Sequence, residues 1–253
     1  MYGAIIGDLA GSIYEYSQIK EIKSIKLDSL IADNSFFSDD TILTIAIMDA
    51  ILHDKNYDKY LRKYIKEYEN YHPNFSPYFK SSFSPSLIKW SKTNDIGNSH
   101  GNGAMMRISP VGYMFNTEEE IILNSYLATI PSHNSESAIL NATKVALIIF
   151  YFRNGYSKEE VIKKMDIHLK YTPFKKFNTT CEETIDNCLY ALFNSNSFTD
   201  AIKKTLLMGG DTDTNACIVG SMAESLYGIN DELITLANEK IPNEFVKILE
   251  KRK

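Results

Sequence analysis

The chain has 253 residues and a net charge of −5, with 44% hydrophobic and 23% charged residues. That length admits one large domain or two small ones, and the apolar fraction suffices for a core. The acidic balance excludes a general nucleic-acid binder and a basic membrane-surface protein, although bound metal ions can invert charge locally and admit anionic ligands. Cys181, Cys188 and Cys217 form no CxxC or Cys/His metal pattern and no disulfide framework. A reducing, cytoplasmic setting is therefore expected. Met1 to Ser12 has no basic n-region and carries Asp8, so it does not read as a signal peptide. The most apolar run, Ala138 to Phe152, is too short to span a bilayer and contains Asn141 and Lys144.

In chain order, Tyr2 to Tyr16 predicts a helix. Gly3, Gly7 and Gly11 recur every four residues, which strips one face of side chains and lets another backbone approach. Asp8, Ser12 and Glu15 share a second, polar face, either solvated or the wall of a site. Residues 17 to 37 are polar and mixed and read as a loop. Ser38 then caps a helix running to about His53, apolar nearly all round and so centrally buried. Its start, Ser38-Asp39-Asp40-Thr41, therefore lies near the middle of the molecule, where a carboxylate pair is costly unless paired or metal-bound.

Tyr57 to Tyr71 predicts an amphipathic, tyrosine-rich helix devoted to packing. Pro73, Pro77 and Pro85 punctuate a loop, and a short segment with Trp90 follows. Residues 94 to 112, rich in Gly, Asn and Ser, lead into a helix and could present backbone N–H groups to phosphate, or be an ordinary loop. They contain neither a Walker loop nor a Rossmann fingerprint. Thr117 with Glu120, Ser157 with Glu160 and Thr180 with Glu183 are capping-box patterns. Further helices are predicted from about Glu136 to Arg153, Thr199 to Met208, Asp231 to Glu239 and Asn243 to Lys251. Alternating β-branched runs are scarce and no linker divides the chain. An all-α single domain over 1–253 is expected.

Between these helices stands Gly209-Gly210-Asp211-Thr212-Asp213-Thr214-Asn215. The glycines permit a tight turn, and a helix should run from Thr214 to Tyr227, ending at Gly228. Asp211 and Asp213, with oxygens from Thr212, Thr214 and Asn215, suit Mg²⁺ or Mn²⁺ rather than zinc. The same residues also suit plain helix capping. One cap does not need two carboxylates, however, and two acidic clusters on two helix starts could converge on a pair of ions.

Six segments together resemble the ADP-ribosylglycohydrolase family, which includes the dinitrogenase reductase-activating glycohydrolases. They are Gly-Asp-Leu-Ala-Gly-Ser at 7 to 12 with Glu15, Ser-Asp-Asp-Thr at 38 to 41, Asp-Ile-Gly at 95 to 97, Gly-Asn-Gly-Ala-Met-Met-Arg at 101 to 107, Ser-His at 132 to 133, and the 209 to 215 stretch. The resemblance implies a compact all-α multi-helix domain with two Mg²⁺ or Mn²⁺ ions. Ser38, Asp39, Asp40, Asp211, Asp213 and Thr214 would bind them, with Asp213 bridging. The family often has Thr where this chain has Ser38; the hydroxyl is kept.

The loop Ser99, His100, Gly101, Asn102 and Gly103 resembles the one that holds the diphosphate and adenosine of ADP-ribose, with the His100 ring placed to stack on adenine. His133 resembles a ligand-contacting histidine. The implied reaction is hydrolysis of the bond from the ribose anomeric carbon to a modified side chain, arginine first, through an oxocarbenium-like transition state. Two metals would hold the ribose hydroxyls and acidify a water. Glu15 and Asp95 are the candidate catalytic carboxylates, Asp95 facing a guanidinium, while Asp8 is expected to be structural. The expected partner is the ADP-ribose moiety of an ADP-ribosylated protein, with no nucleic acid, no membrane and a monomeric chain. Alternatives are a binding or structural relative without catalysis, a hydrolase of serine-linked or O-acetyl-ADP-ribose, and a Mg²⁺-dependent phosphohydrolase.

Overall fold

The glycine row of the first helix decides how the molecule is built. In the computed structural model, which describes residues 1–15, 29–73, 82–174 and 176–251, α1 (Tyr2–Gly11) lies antiparallel against α12 (Thr212–Tyr227). A Cβ on Gly3 would stand 2.1 Å from the Gly220 carbonyl oxygen, one on Gly7 2.0 Å from that of Ala216, and one on Gly11 2.3 Å from that of Thr212. Both rows step by four residues, so the two backbones touch along three turns. Thr212 Oγ1 donates to the Gly11 carbonyl (2.9 Å) and closes the contact at one end. The antiparallel pairing sets the C-terminal end of α1 beside the N-terminal end of α12.

α1 is shorter than expected. It ends at Gly11, and Ser12 to Glu15 form a turn. The Ser12 hydroxyl donates back to the Leu9 carbonyl (2.9 Å) and accepts from the Phe36 amide (3.1 Å), holding the incoming segment against the helix end. Tyr16, most of the expected 17–37 loop, and Pro77 lie outside the described residues.

α2 (Asp39–Leu52) starts at its Ser38 cap and is buried from Asp40 to Ala50, as its apolar circumference requires. α3 (Tyr57–Tyr68) packs on it. Its tyrosines pack and make structural bonds: Tyr57 Oη donates to Asn124 Oδ1 (2.9 Å) and Tyr64 Oη to the buried Asp49 (2.9 Å). α4 (Pro85–Ser91) carries Trp90. The helix expected after the glycine loop is split into one turn, α5 (Gly103–Met106), and α6 (Ser109–Met114). Pro110, which has no amide hydrogen, opens the second piece.

α7 (Glu118–Thr129) and α8 (Glu136–Arg153) follow, and α8 packs across α5, α6 and α12. α9 (Lys158–Lys164), α10 (Cys181–Phe193), α11 (Phe198–Met208), α13 (Asp231–Lys240) and α14 (Asn243–Glu250) complete fourteen helices among the described residues, with no strand. Two capping boxes form as expected, at Thr117/Glu120 and Ser157/Glu160. At the third, Thr180 caps the Glu183 amide while the Glu183 carboxylate accepts from the Thr179 amide and meets Lys176. Among the described residues no helix is long and apolar enough to cross a membrane.

Replacing Gly7 with Leu should force the α1 and α12 backbones apart. Overpacking of a tight core contact costs about 3 kcal/mol. Thermal denaturation should then show a drop of roughly 6–12 °C for a chain of this size. An unchanged midpoint would show that the two backbones do not need this approach.

Candidate active site

The two acidic helix starts meet. α2 and α12 begin at the same place because α1 binds both. Asp8 of α1 accepts from the Ser38 amide (2.9 Å), the Ser38 hydroxyl (2.8 Å), the Thr41 amide (3.1 Å) and the Thr41 hydroxyl (2.5 Å), pinning the first turn of α2. The glycine row delivers α12 alongside. Across the junction Thr214 Oγ1 donates to Asp40 Oδ2 (3.2 Å). Two triads result, Asp8–Asp40–Asp213 and Glu15–Asp211–Asp213, each with one oxygen per residue inside a mutual distance of 4.8 Å. Asp213 belongs to both. Asp39 shares the cavity, where Ser82 Oγ donates to it (3.3 Å), but joins neither triad.

Two helix N-termini offer these acids partial positive charge, and it is not enough. Burial, then the charge of Asp8, holds the carboxyls of Asp39 and Asp40 well above the usual carboxylate range. Burial, then Glu15 and Asp211, does the same to Asp213. Burial raises Asp8 to about 6 against its four hydrogen bonds. It raises Asp211 too, although Asp213, Asn102 and Thr214 hydrogen-bond to that carboxylate and oppose the shift. Asp40 Oδ1 is buried without a hydrogen-bond partner. A crowded set of hard oxygens, short of protons or donors and with one lone carboxylate oxygen, fits a divalent cation of the Mg²⁺ or Mn²⁺ class.

These acids form one end of a cavity of about 630 Å³, a size that suits a small-molecule ligand. Residues 97–103 form another wall, and they are held on both sides. The Gly97 amide donates to the Pro131 carbonyl (2.8 Å), the Ser99 amide to that of Ser132 (3.2 Å), and the Asn134 amide to that of Gly97 (2.9 Å). On the other flank the Asn102 amide donates to the Thr179 carbonyl (2.9 Å), and the Cys181 amide to that of His100 (3.0 Å). Asn102 Nδ2 donates to Asp211 Oδ2 (2.7 Å), which ties this wall to the acids. His133 is buried against the wall; its Nε2 lies 3.4 Å from where a Gly101 Cβ would stand and 3.5 Å from a Gly103 Cβ. Burial, then the neighbouring Arg107, pushes the His133 pKa well down, so the ring is neutral.

Of the residues singled out in the sequence, Glu15, Asp39, Asp40, Ser99, His100, Gly101, Asn102, Gly103, His133, Asp211, Asp213 and Thr214 all line this cavity. Two do not. Ser38 sits behind the lining, its hydroxyl donating to Asp8, so it braces the acids instead of facing the cavity. Asp95 is exposed; its backbone carbonyl accepts from Trp90 Nε1 (2.9 Å) and Arg62 Nη2 (3.0 Å), and its carboxylate is not in the lining. The Arg62 side chain, stacked on Trp90 and bonded to the carbonyls of Trp90, Thr93 and Asp95, fixes the backbone there.

Sequence reasoning missed Phe177 and a lip of Ser82, Ser84 and Ser86 in the same lining, and gave no role to Ser132 and Arg107, which it had met only as parts of matching segments. It also missed Asn178, whose Oδ1 accepts from the Asp211 amide (2.8 Å) and whose Nδ2 donates to Asn215 (2.9 Å). The one available signal was the polar run Asn178-Thr179-Thr180 before a helix start.

The fold is shared with a solved structure described as an ADP-ribosylglycohydrolase-related protein complex, with a TM-score of 0.72, 18% identity, and coverage of 99% of this chain and 90% of that one. The ADP-ribosylglycohydrolase family model matches residues 1–253, and the chain belongs to that family. It is also 25% identical over 145 residues to the ADP-ribosylarginine hydrolase Tri1 of Pseudomonas putida (strain GB-1). That match spans 51% of this chain and 39% of the relative's length.

The raised acids predict an unusual pH response of the cation-free protein. Each binds protons in the native state that the unfolded chain, with carboxylates near 3.9, releases. Their contribution is complete below that value and is lost as pH rises through about 6 for Asp8 and the elevated values of its neighbours. The melting temperature measured in chelator should therefore fall between pH 5 and pH 8, and Asp213→Asn should flatten the fall. Added Mg²⁺ should restore stability at pH 8. A midpoint that rises or stays level over that range would contradict the electrostatic account.

Proposed function

We propose that the protein is a metal-dependent ADP-ribosylglycohydrolase that removes ADP-ribose from a modified side chain, arginine by preference. The observation that carries this reading is the convergence of Asp40, Asp211, Asp213 and Glu15 with the 97–103 wall in one cavity. The arginine preference rests on the named activity of the Pseudomonas relative. The residues that would hold two cations are Asp8, Asp40 and Asp213 on one side and Glu15, Asp211 and Asp213 on the other, with Asp39 and Thr214 close by. Such ions would supply positive charge for the ribose hydroxyls and acidify a water.

The chain's own groups account for the rest. The 97–103 wall would offer the diphosphate the neutral His133 ring and the backbone amides not already donated to Pro131, Ser132, Thr179 or the Ser99 hydroxyl, those of His100 and Gly103 among them. His100 and Phe177 both line the cavity and offer rings to adenine. Hydrolysis forms a bond from water oxygen to the anomeric carbon and breaks the bond to the guanidine nitrogen, which keeps the electron pair. One water proton stays on the new hydroxyl. The other passes to the Glu15 carboxylate and from there to the departing guanidine. Glu15 is the better base of the two carboxylates considered because it lines the cavity and Asp95 does not.

A second leaving group has an observation of its own. The Ser82, Ser84 and Ser86 lip, with Trp90, supplies hydroxyls and a ring near Asp39. This lip would accommodate a serine-linked substrate as readily as a guanidine. The three cysteines are buried free thiols, in keeping with a cytoplasmic setting.

Incubation with Mg²⁺ and ADP-ribosylarginine should release ADP-ribose, followed by chromatography, with serine-linked ADP-ribose assayed alongside. Asp213→Ala and Asp39→Ala should each lower kcat by more than about a thousandfold, the scale expected when a site's electrostatic stabilisation is removed. Glu15→Gln should cost about a hundredfold or more, and Asp95→Ala less than twofold. Binding of ADP-ribose without release from either substrate would reject the hydrolase in favour of a binding protein. Phosphate release with the glycosidic bond intact would favour a phosphohydrolase.

A further inference from the structure

Behind His133 lies a short relay that neither the reaction nor the acid cluster uses. The His133 Nδ1 and Ser132 Oγ atoms are 2.7 Å apart. Arg107 Nη2 donates to the same Ser132 oxygen at 2.7 Å and stands 3.4 Å from His133 Nδ1. All three residues are buried, Arg107 at 1% exposure, Ser132 at 3% and His133 at 5%. Arg107 has only donors to offer. Its Nη2 also donates to the Ala128 carbonyl (3.5 Å), while its Nε and Nη1 have no hydrogen-bond partner.

From these contacts we infer that Ser132 and Arg107 are positioning residues that lock His133 in the tautomer with its hydrogen on Nε2, aimed at Gly101 and Gly103. The proton bookkeeping has one good solution. The Ser132 oxygen is occupied as acceptor by the guanidinium, and its single hydrogen goes to the lone pair of His133 Nδ1. The Ser132 oxygen has lone pairs for two donors, but a hydrogen on Nδ1 would set a positive guanidinium 3.4 Å from an N–H dipole. The Ser132 hydrogen would then lack an acceptor. Nε2 consequently carries the ring's hydrogen, and it faces the two glycines whose missing side chains leave room for a ligand oxygen. Arg107, almost fully buried, thus acts on an anionic ligand through His133, by fixing a neutral donor. Burial and the same guanidinium keep the ring uncharged.

That the ligand oxygen belongs to ADP-ribose rests on the function proposed above; the tautomer does not. The closing experiment separates them. Long-range ¹H–¹⁵N spectra of histidine-labelled, ligand-free protein at pH 7 should show His133 with a protonated Nε2 and a bare Nδ1. Ser132→Ala should lose that pattern, giving the other tautomer or a mixture, and Ser132→Thr should restore it. By calorimetry, Ser132→Ala should bind ADP-ribose about tenfold more weakly, with recovery in Ser132→Thr. In turnover assays the loss should appear in KM, with kcat changed less than twofold. A hydrogen on Nδ1 in the wild-type protein, or an unaltered spectrum in Ser132→Ala, would overturn the inference. The expected spectra without ADP-ribose binding would leave the relay standing and reject the ligand.

Discussion

Mutual repulsion among buried carboxylates governs this molecule. Asp8, Asp40, Asp211 and Asp213 are all withdrawn from water, with Asp39 and Glu15 at their edge. No arrangement of neutral donors can carry that much negative charge in a low dielectric. The structure applies every local remedy available. Asp8 takes four hydrogen bonds, Asp211 takes the Asn102 amide, and two helix N-termini point inward. The acids still hold their protons far above the ordinary range. A fold that keeps such a cluster does so for something that uses it, because replacing the acids with neutral side chains would relieve the strain.

What holds the cluster together is the absence of side chains elsewhere. The α1–α12 pairing works because Gly3, Gly7 and Gly11 face Gly220, Ala216 and Thr212 at backbone contact. With larger residues the helices would stand at the usual 8–10 Å, and Glu15 and Asp8 could not both reach Asp213. The helix interface and the chemical site are consequently one constraint. A packing defect in α1 far from any ligand would separate the two triads.

The legible parts of the sequence were those with local causes. Ser38 before an apolar run announced the start of α2, and the α8 boundaries follow from its apolar span and Ser135 cap. The four-residue glycine spacing announced a close approach, though not its partner. The convergence of 38–41 with 209–215 was raised by the chemistry of two acidic helix starts and strengthened by the family resemblance, since no spacing rule relates segments some 170 positions apart. Asp95 illustrates the opposite case. Its motif matched, but Arg62, over thirty residues away, holds the local backbone, and Asp95 is exposed and outside the cavity lining. Arg107 and Ser132 fell within matching segments, but no role could be read for them: an arginine in an apolar segment is unremarkable until its neighbours are known to be Ser132 and His133.

The division of labour inside the cavity follows from charge. A diphosphate and an array of carboxylates repel each other, so one anionic ligand can enter only if the acids are neutralised and the far wall avoids negative charge. Apart from histidine, Arg107 is the sole cationic side chain among the described residues of the lining, and it is almost fully buried. Under the function proposed above, anion recognition at that wall falls to dipoles: the amides of the glycine-rich segment not already bonded, and the Nε2–H of a neutral His133. The contacts to Thr179, Pro131, Ser132 and His100 hold the segment itself, so those dipoles keep their orientation without solvent reorganisation. Under the same proposed function, an Arg or Lys at that wall would attract a diphosphate more strongly but would also pair with Asp211 and Asp213, taking up the oxygens that cations would need.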